Sequence, residues 1–137
     1  DAVISAMRRE AVALCDRLST GGLAALLARA HVVVSNDSGP LHLAGAVGTR
    51  TVGLFWCGNF INGAPLTRQR HHPFMSWRLD CPTCGRNTLR DNCEHRASFV
   101  ADIPVADVQQ AAAALLAEAR HERRHVPAAV KRGATRS

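Results

Sequence analysis

The segment that most restricts the fold is His31-Val32-Val33-Val34-Ser35, a β-branched run broken sharply by Asn36-Asp37-Ser38-Gly39-Pro40. It lacks the polar alternation of a half-exposed strand, and a continuous run of this kind marks a strand covered on both faces of a parallel sheet. Leu41 to Val47 then follows a helical pattern, Gly48 suits its C-terminal stop, and Thr51-Val52-Gly53-Leu54-Phe55 repeats the buried-strand signature. Ahead of the first strand, Ser19 and Thr20 are cap-type residues before the helix formers Leu23 to Ala30, so a helix starts there. The order helix, strand, helix, strand predicts an α/β fold: a Rossmann-like parallel sheet with helices on both faces.

The flanks read differently. Val3, Ala6, Met7, Ala11 and Leu14 recur at near-helical spacing and predict a helix over 3–14, running into a short strand near 13–15. Val105 to about Arg120, opened by Pro104, carries Val108, Ala111, Ala112, Leu115, Leu116 and Ala119 along one side, which predicts a helix with an apolar face. Between them, residues 56–103 turn to Gly, Pro, Asn, Arg, His and Cys with little periodicity. Nearly 50 residues without a regular element is long for a compact domain, so something other than apolar burial must order this stretch. The expected organisation is one domain over 1–120 with a cysteine-rich loop insert at 56–103, then a basic, disordered tail at 121–137.

Charge narrows the partners. The 137 residues hold 17 Lys+Arg against 11 Asp+Glu, a net charge of +6, but residues 121–137 contribute +4 of it and the body only +2. A nearly neutral body offers no stripe of phosphate-neutralising charge, so a nucleic acid is not expected as partner. No apolar run approaches the roughly 20 residues that cross a bilayer, and no export signal opens the chain. The first residue is Asp1, inside an apolar pattern, and the chain is expected to be a piece of a longer protein.

The turn after the first buried strand carries the most chemistry. Ligands of open α/β sheets collect outside the carboxyl ends of the strands, and a helix starting there aims unpaired N–H groups and the positive end of its dipole at them. Such a place suits a phosphate. Gly39 admits close backbone approach, Pro40 fits the first helical position, and His42 falls in the first turn. Ser38, Gly39 and His42 are the candidate anion contacts. Asp37, whose carboxylate repels a phosphate, is expected to cap the helix or fix the loop. The same string also reads as a well-capped helix with a histidine near its start, since neither a P-loop nor a Gly-x-Gly-x-x-Gly pattern accompanies it.

Asp37-Ser38-Gly39-Pro40-Leu41-His42-Leu43-Ala44, continued through Gly45 to Phe55, resembles the nucleotide-sugar-binding half of the family 9 glycosyltransferases, the ADP-heptose:lipopolysaccharide heptosyltransferases and their relatives. The similarity runs over most of residues 10–120. It implies the C-terminal, donor-binding domain of a two-domain GT-B architecture, with Ser38, Gly39 and His42 matched to contacts with the donor diphosphate and Asp37 to ordering of the loop. It further implies an ADP-heptose-like nucleotide-sugar donor, a glycolipid acceptor held by an N-terminal domain, and metal-independent transfer with inversion in lipopolysaccharide or related envelope glycan synthesis. A cytoplasmic location, peripheral to the inner membrane face, follows from the same resemblance. The acceptor site and catalytic carboxylate of that family belong to the N-terminal domain, which this chain does not match. No catalytic residue is therefore assigned, and the chain alone is expected to be inactive. After Phe55 the family's strand-end Gly and later Gly-Pro are replaced by Trp56-Cys57-Gly58 and Gly63-Ala64-Pro65, a departure from the family pattern that bears on donor and acceptor identity.

Cys81, Cys84, Cys93 and His95 form a Cys-x2-Cys-x8-Cys-x-His pattern inside the segment that lacks a core of its own. Two thiolates two residues apart grip one tetrahedral ion, and Cys93 with His95 would close a Cys3His site. A structural zinc supplies folding free energy where apolar residues are scarce. The alternatives are a Cys81–Cys84 or Cys84–Cys93 disulfide, which a reducing compartment disfavours, or buried free cysteines. His71 and His72 are adjacent, would point to opposite faces of an extended segment, and read as exposed loop residues. A second functional reading remains beside the transferase: a small zinc-ordered α/β module that binds nucleic acid or a protein through its arginine-rich loop and tail.

Overall fold

The computed structural model describes residues 2–91 and 93–125. Its elements are α1 (Ala2–Ala6), α2 (Thr20–Arg29), β1 (Val32–Asn36), α3 (Gly39–Ala46), β2 (Arg50–Trp56), α4 (Cys57–Gly63), β3 (His71–Ser76) and α5 (Val105–His125). The three strands form one parallel sheet in the order β1-β2-β3, with Val34 opposite Val52 and Val52 opposite His72.

Strand parity divides the molecule. Val52 sits on one face, where Ala111 and Leu115 of α5 close a core with it and Val32, Phe74, Val108 and Ala112 pack around. Ala111, Leu115 and Ala119, one turn apart along α5, are all buried, so the apolar stripe read from the sequence is the face that meets the sheet. The opposite face carries Thr51, Gly53 and Phe55 and is covered by α3 through buried Leu41 and Ala44. A Cβ on Gly53 would stand 2.6 Å from Phe55 Cε2 and 2.9 Å from Leu41 Cδ2. Glycine there is what lets α3 lie so close.

Local signals end the helices as expected. The Ser19 side chain accepts from the Gly22 N–H at 3.1 Å at the start of α2, replacing one of the orphan donors of its first turn. Gly48, at φ 81°, turns the chain out of α3 in a left-handed conformation that costs glycine little. Buried Thr49 then donates to Leu27 O at 2.7 Å, tying the end of α2 to the start of β2.

Four expectations are corrected. The helix drawn over 3–14 stops at Ala6, with Met7 and Val12 exposed at 50% and 74%. An apolar stripe holds a helix only where it packs against something, and Met7 and Val12 stay in solvent. Instead of a strand near 13–15 the chain turns, with Asp16 at φ 57° and Arg17 N–H bonded to Leu14 O. β1 is an edge strand rather than one covered on both faces: α5 meets the sheet at the level of Val32 and Val52, and Val34 stays 48% exposed. Finally, residues 56–103 contain both α4 and β3. β3 reads His-His-Pro-Phe-Met-Ser and holds its place by pairing with β2; Pro73 is tolerated because an edge strand has one unpaired side.

At the amino ends of the strands, Arg50 is buried with its side chain only 9% exposed. Its Nη2 donates to Glu122 Oε1 of α5, Glu118 Oε2 lies 3.9 Å from its Nε, and Arg70 Nη2 lies 3.7 Å from Glu122 Oε2. A buried guanidinium without such partners would be strongly destabilising. α5 accordingly continues beyond the expected end at Arg120 to His125, carrying Glu122 over Arg50. Among the described residues no helix is long and apolar enough to cross a membrane. Residues 126–137 of the expected basic tail lie outside the described residues.

Two outcomes test this packing. Leu115→Ala, which truncates a buried contact with Val52, should lower the unfolding free energy by about 2–5 kcal/mol in urea denaturation. The hydrogen bond from Arg50 lowers the pKa of Glu122 below its ordinary 4.5. Its contribution to stability is therefore complete above about 4.5 and is lost as pH falls through the lowered value. Glu122→Gln should flatten that acidic part of the denaturation midpoint curve and leave the neutral part unchanged in slope.

Candidate functional site

At the carboxyl edge of the sheet the chain leaves β1 and enters α3 within two residues. Asp37 N–H bonds to Leu54 O at 2.9 Å, so the turn stays fastened to β2. Ser38 is the N-cap of α3 in extended conformation, and its hydroxyl lies 3.0 Å from the Ser35 hydroxyl rather than on the helix N–H groups. Pro40 occupies the first turn, and Leu41 N–H and His42 N–H both bond to Ser38 O. The four residues singled out by the motif, Asp37, Ser38, Gly39 and His42, thus lie together around one helix start.

Asp37 makes a contact that spacing alone does not reveal. Its Oδ1 stands 2.9 Å from His42 Nε2, with the His42 side chain 53% exposed and that of Asp37 only 19%. The carboxylate fixes the loop and orients the imidazole; it does not cap the helix. Behind it lies Gly63 of α4, where a Cβ would come 3.3 Å from Asp37 Oδ1.

Beside this turn, a cavity of about 190 Å³ is bounded by His42 and Leu41 of α3, by Thr51, Gly53 and His71 of the sheet, and by Pro65 beyond α4. His71 Nδ1 lies 2.8 Å from Thr51 Oγ1. Burial, assisted by the neighbouring Arg70 charge, holds the His71 imidazole below its ordinary pKa of 6.5, so it is neutral at pH 7. His71 is therefore a half-buried member of the crevice and not an exposed loop residue. Nothing in the motif marks Thr51 or Gly63; for His71 the one usable signal is that adjacent strand residues face opposite ways. His72 does face the other side, its ring centroid 4.8 Å from that of Phe74.

Cys81, Cys84, Cys93 and His95 converge as well. One ligand atom from each lies within 4.8 Å of every other. Zinc with Zn–S bonds of about 2.3 Å places tetrahedral ligand atoms about 3.8 Å apart, so a small inward shift closes the set. No disulfide joins the five cysteines, all of which are free. Cys81 is buried and Cys84 exposed. The hairpin that brings the first pair together is closed by Gly85 N–H on Cys81 O at 2.8 Å and Cys81 N–H on Arg86 O at 2.9 Å, with Gly85 at φ 70°. Backbone N–H groups of Thr83 and then Cys84, with smaller help from Cys93, hold the Cys81 thiol at about 6. Cys93 receives the His95 N–H, yet its hydrogen bond with Cys81, burial and the Cys84 side chain push its thiol above the usual value. One thiolate with donors gathered round it and three further soft or borderline ligands make a donor set that fits zinc. The four residues can hold a metal such as zinc; a four-coordinate ion with every position filled by protein would have a structural role.

The family model of glycosyltransferase family 9 (heptosyltransferase) matches residues 1–79. The match takes in β1, the Asp37–His42 turn, α3, β2 and β3, and it ends before the cysteine cluster and α5. Neither among curated proteins nor among solved structures is a match found.

Protein purified without added metal should contain one equivalent of zinc by elemental analysis, and Cys84→Ala, at an exposed position, should lower it to below about a tenth.

Proposed function

Because the chain belongs to glycosyltransferase family 9, we propose that it supplies the nucleotide-sugar side of a sugar transfer, with the donor diphosphate held at the first turn of α3. The observation that carries this reading is the Asp37–His42 pair at 2.9 Å beside the helix start. A free carboxylate next to a phosphate would repel it. With Nε2 of His42 donating to it, the Asp37 carboxylate instead orients the imidazole, whose Nδ1–H donates to the anion when the ring carries both protons, while the Gly39 backbone adds a neutral donor and the Ser38 hydroxyl can add another by turning from Ser35 Oγ.

The finer reading follows the family. The donor is an ADP-heptose-like nucleotide sugar, and the acceptor is a glycolipid of lipopolysaccharide or a related envelope glycan. This chain corresponds to the C-terminal domain of a GT-B pair, with residues 1–120 as its donor-binding unit and 56–103 as an insert ordered by zinc on Cys81, Cys84, Cys93 and His95. The acceptor and the catalytic carboxylate come from an N-terminal domain, so this chain alone binds donor without turnover. The work takes place at the cytoplasmic face of the inner membrane. No step requires a catalytic metal: the helix dipole, the N–H groups and His42 offset the diphosphate charge, and their stabilisation grows as the leaving nucleoside diphosphate gains charge.

Titration with ADP, followed by amide chemical shifts, should move resonances of residues 38–42 before any others. His42→Ala should weaken binding by about 1.5–3 kcal/mol, the range for a hydrogen bond to a charged group. Unmoved residues 38–42 at millimolar ADP would count against the reading.

A further inference from the structure

A second cavity, of about 200 Å³, lies at the amino ends of the strands, across the sheet from the α3 turn, and three arginines line it. Arg50 opens β2, Arg70 immediately precedes β3, and Arg123 comes from the last turn of α5. Exposed His31 and the Glu122 carboxylate stand beside them, and most of the remaining wall is alanine and glycine, which leaves the space open.

Arg50 is the deepest of the three. Its side chain is only 9% exposed, its one hydrogen bond runs from Nη2 to Glu122 Oε1, and its Nε is buried without an acceptor. Glu118 Oε2, at 3.9 Å from that nitrogen, is too far to accept from it. A guanidinium carries five N–H donors, so most of those on Arg50 have no acceptor among the described residues. The other two are exposed and loosely held: Arg70 Nη1 donates to Gly48 O at 3.3 Å and Arg123 Nη2 to Arg29 O at 3.4 Å, both long bonds. Arg70 Nη2 shares Glu122 with Arg50 at 3.7 Å. Arg123 has no carboxylate partner among the described residues.

Charge balance decides what such a cavity admits. Three guanidiniums face one lining carboxylate, while Glu118 lies outside the wall with its side chain 58% exposed and screened by water. The carbonyl ends of α2 and α3 come to the same place, at Ala30 and Gly48, and each counts as roughly half a negative charge. About one positive charge then remains unmatched in the wall, together with the unspent donors of Arg50.

We propose that this cavity binds a phosphate group, either inorganic phosphate or the end of a small phosphomonoester. Guanidinium forks match the oxygens of a phosphate. The anion would accept from Arg70 and Arg123 at the mouth and from Arg50 behind them. The volume falls below the roughly 300–1,000 Å³ of drug-sized sites, which suits a small anion rather than a whole nucleotide. The site is separate from the donor site proposed at α3 and does not depend on it. A phosphate held here would tie the last turn of α5 to the starts of β2 and β3 and stabilise the fold by mass action.

The test titrates the chain as purified with inorganic phosphate at fixed ionic strength, followed by amide chemical shifts and melting temperature. Residues 31, 48–50, 70 and 119–123 should move together and saturate at millimolar phosphate, and the melting temperature should rise. Arg70→Gln and Arg123→Gln, with melting temperature in chloride as the check on folding, should each weaken binding about tenfold, the loss of a hydrogen bond to a charged group. Glu122→Gln, which takes the carboxylate out of the wall, should tighten it about fivefold, the effect of one unit charge at about 4 Å in water. Glycerol phosphate separates the two sources: binding at least as tight as that of phosphate assigns an ester and much weaker binding the free ion, and either upholds the phosphate site. Phosphate at the donor turn moves residues 38–42 and is untouched by these substitutions, so failure there and failure here are read apart. No saturable shift at 48–50 and 119–123 at tens of millimolar phosphate, the same shift with acetate, or binding undiminished when Arg70 and Arg123 are both replaced by Gln would overturn the proposal.

Discussion

β2 is paired to β1 on one side and to β3 on the other, with α5 against one face and α3 against the other. Arg50, Thr51, Val52 and Gly53 are buried in succession and Phe55 after them. Each of these positions has a separate condition to meet. Val52 must fill the space under Ala111 and Leu115, Gly53 must be absent as a side chain so that Leu41 fits, and Arg50 must find carboxylates because its charge is out of water. The neighbouring elements hold their positions only because this strand meets all three conditions at once.

The two ends of the sheet are used differently. At the amino ends, charge joins the elements: Arg50 and Arg70 face Glu122, and Arg123 Nη2 reaches Arg29 O at 3.4 Å, binding α5 to the sheet and to the end of α2. At the carboxyl ends, by contrast, His42 stands exposed beside Asp37, with the Ser38 hydroxyl half-buried next to them. A helix start and an exposed histidine at one edge, with arginine–glutamate ion pairs at the other, make the two ends of the sheet chemically unlike. The cysteine cluster lies in a segment with few apolar residues to pack, and one candidate ligand atom from each of its four members stands within 4.8 Å of the others.

How much of this was legible depended on where each element drew its stability. α2, β1, α3, β2 and α5 follow the sequence pattern because each has a capping residue, a β-branched run or an apolar stripe that meets a partner. The stripe from Val3 to Leu14 has the same periodicity and fails, since only α1 forms and Met7 and Val12 remain exposed. β3 fails in the other direction: no propensity supports His-His-Pro-Phe-Met-Ser, and its conformation comes from hydrogen bonds to β2. With β3 hidden, the place of His71 against Thr51 was hidden too. The motif residues Asp37 to His42 were legible because local turn chemistry gathers them within six residues, and the quartet Cys81, Cys84, Cys93 and His95 because two short ligand spacings fall within one fifteen-residue stretch.

The sequence by itself determined the α/β order, the sharp turn that starts α3, the apolar face of α5 and the four clustered candidate metal ligands, all features set by interactions within about fifteen residues or by a simple period. Only the tertiary structure decided that β1 is an edge strand, that a third strand joins β2, that Arg50 is neutralised by Glu122 some seventy residues later, and that Trp56 meets Phe99 beside the cysteine cluster. Those depend on which surfaces remain after neighbouring elements have packed, and neither propensity nor spacing along a chain carries that information.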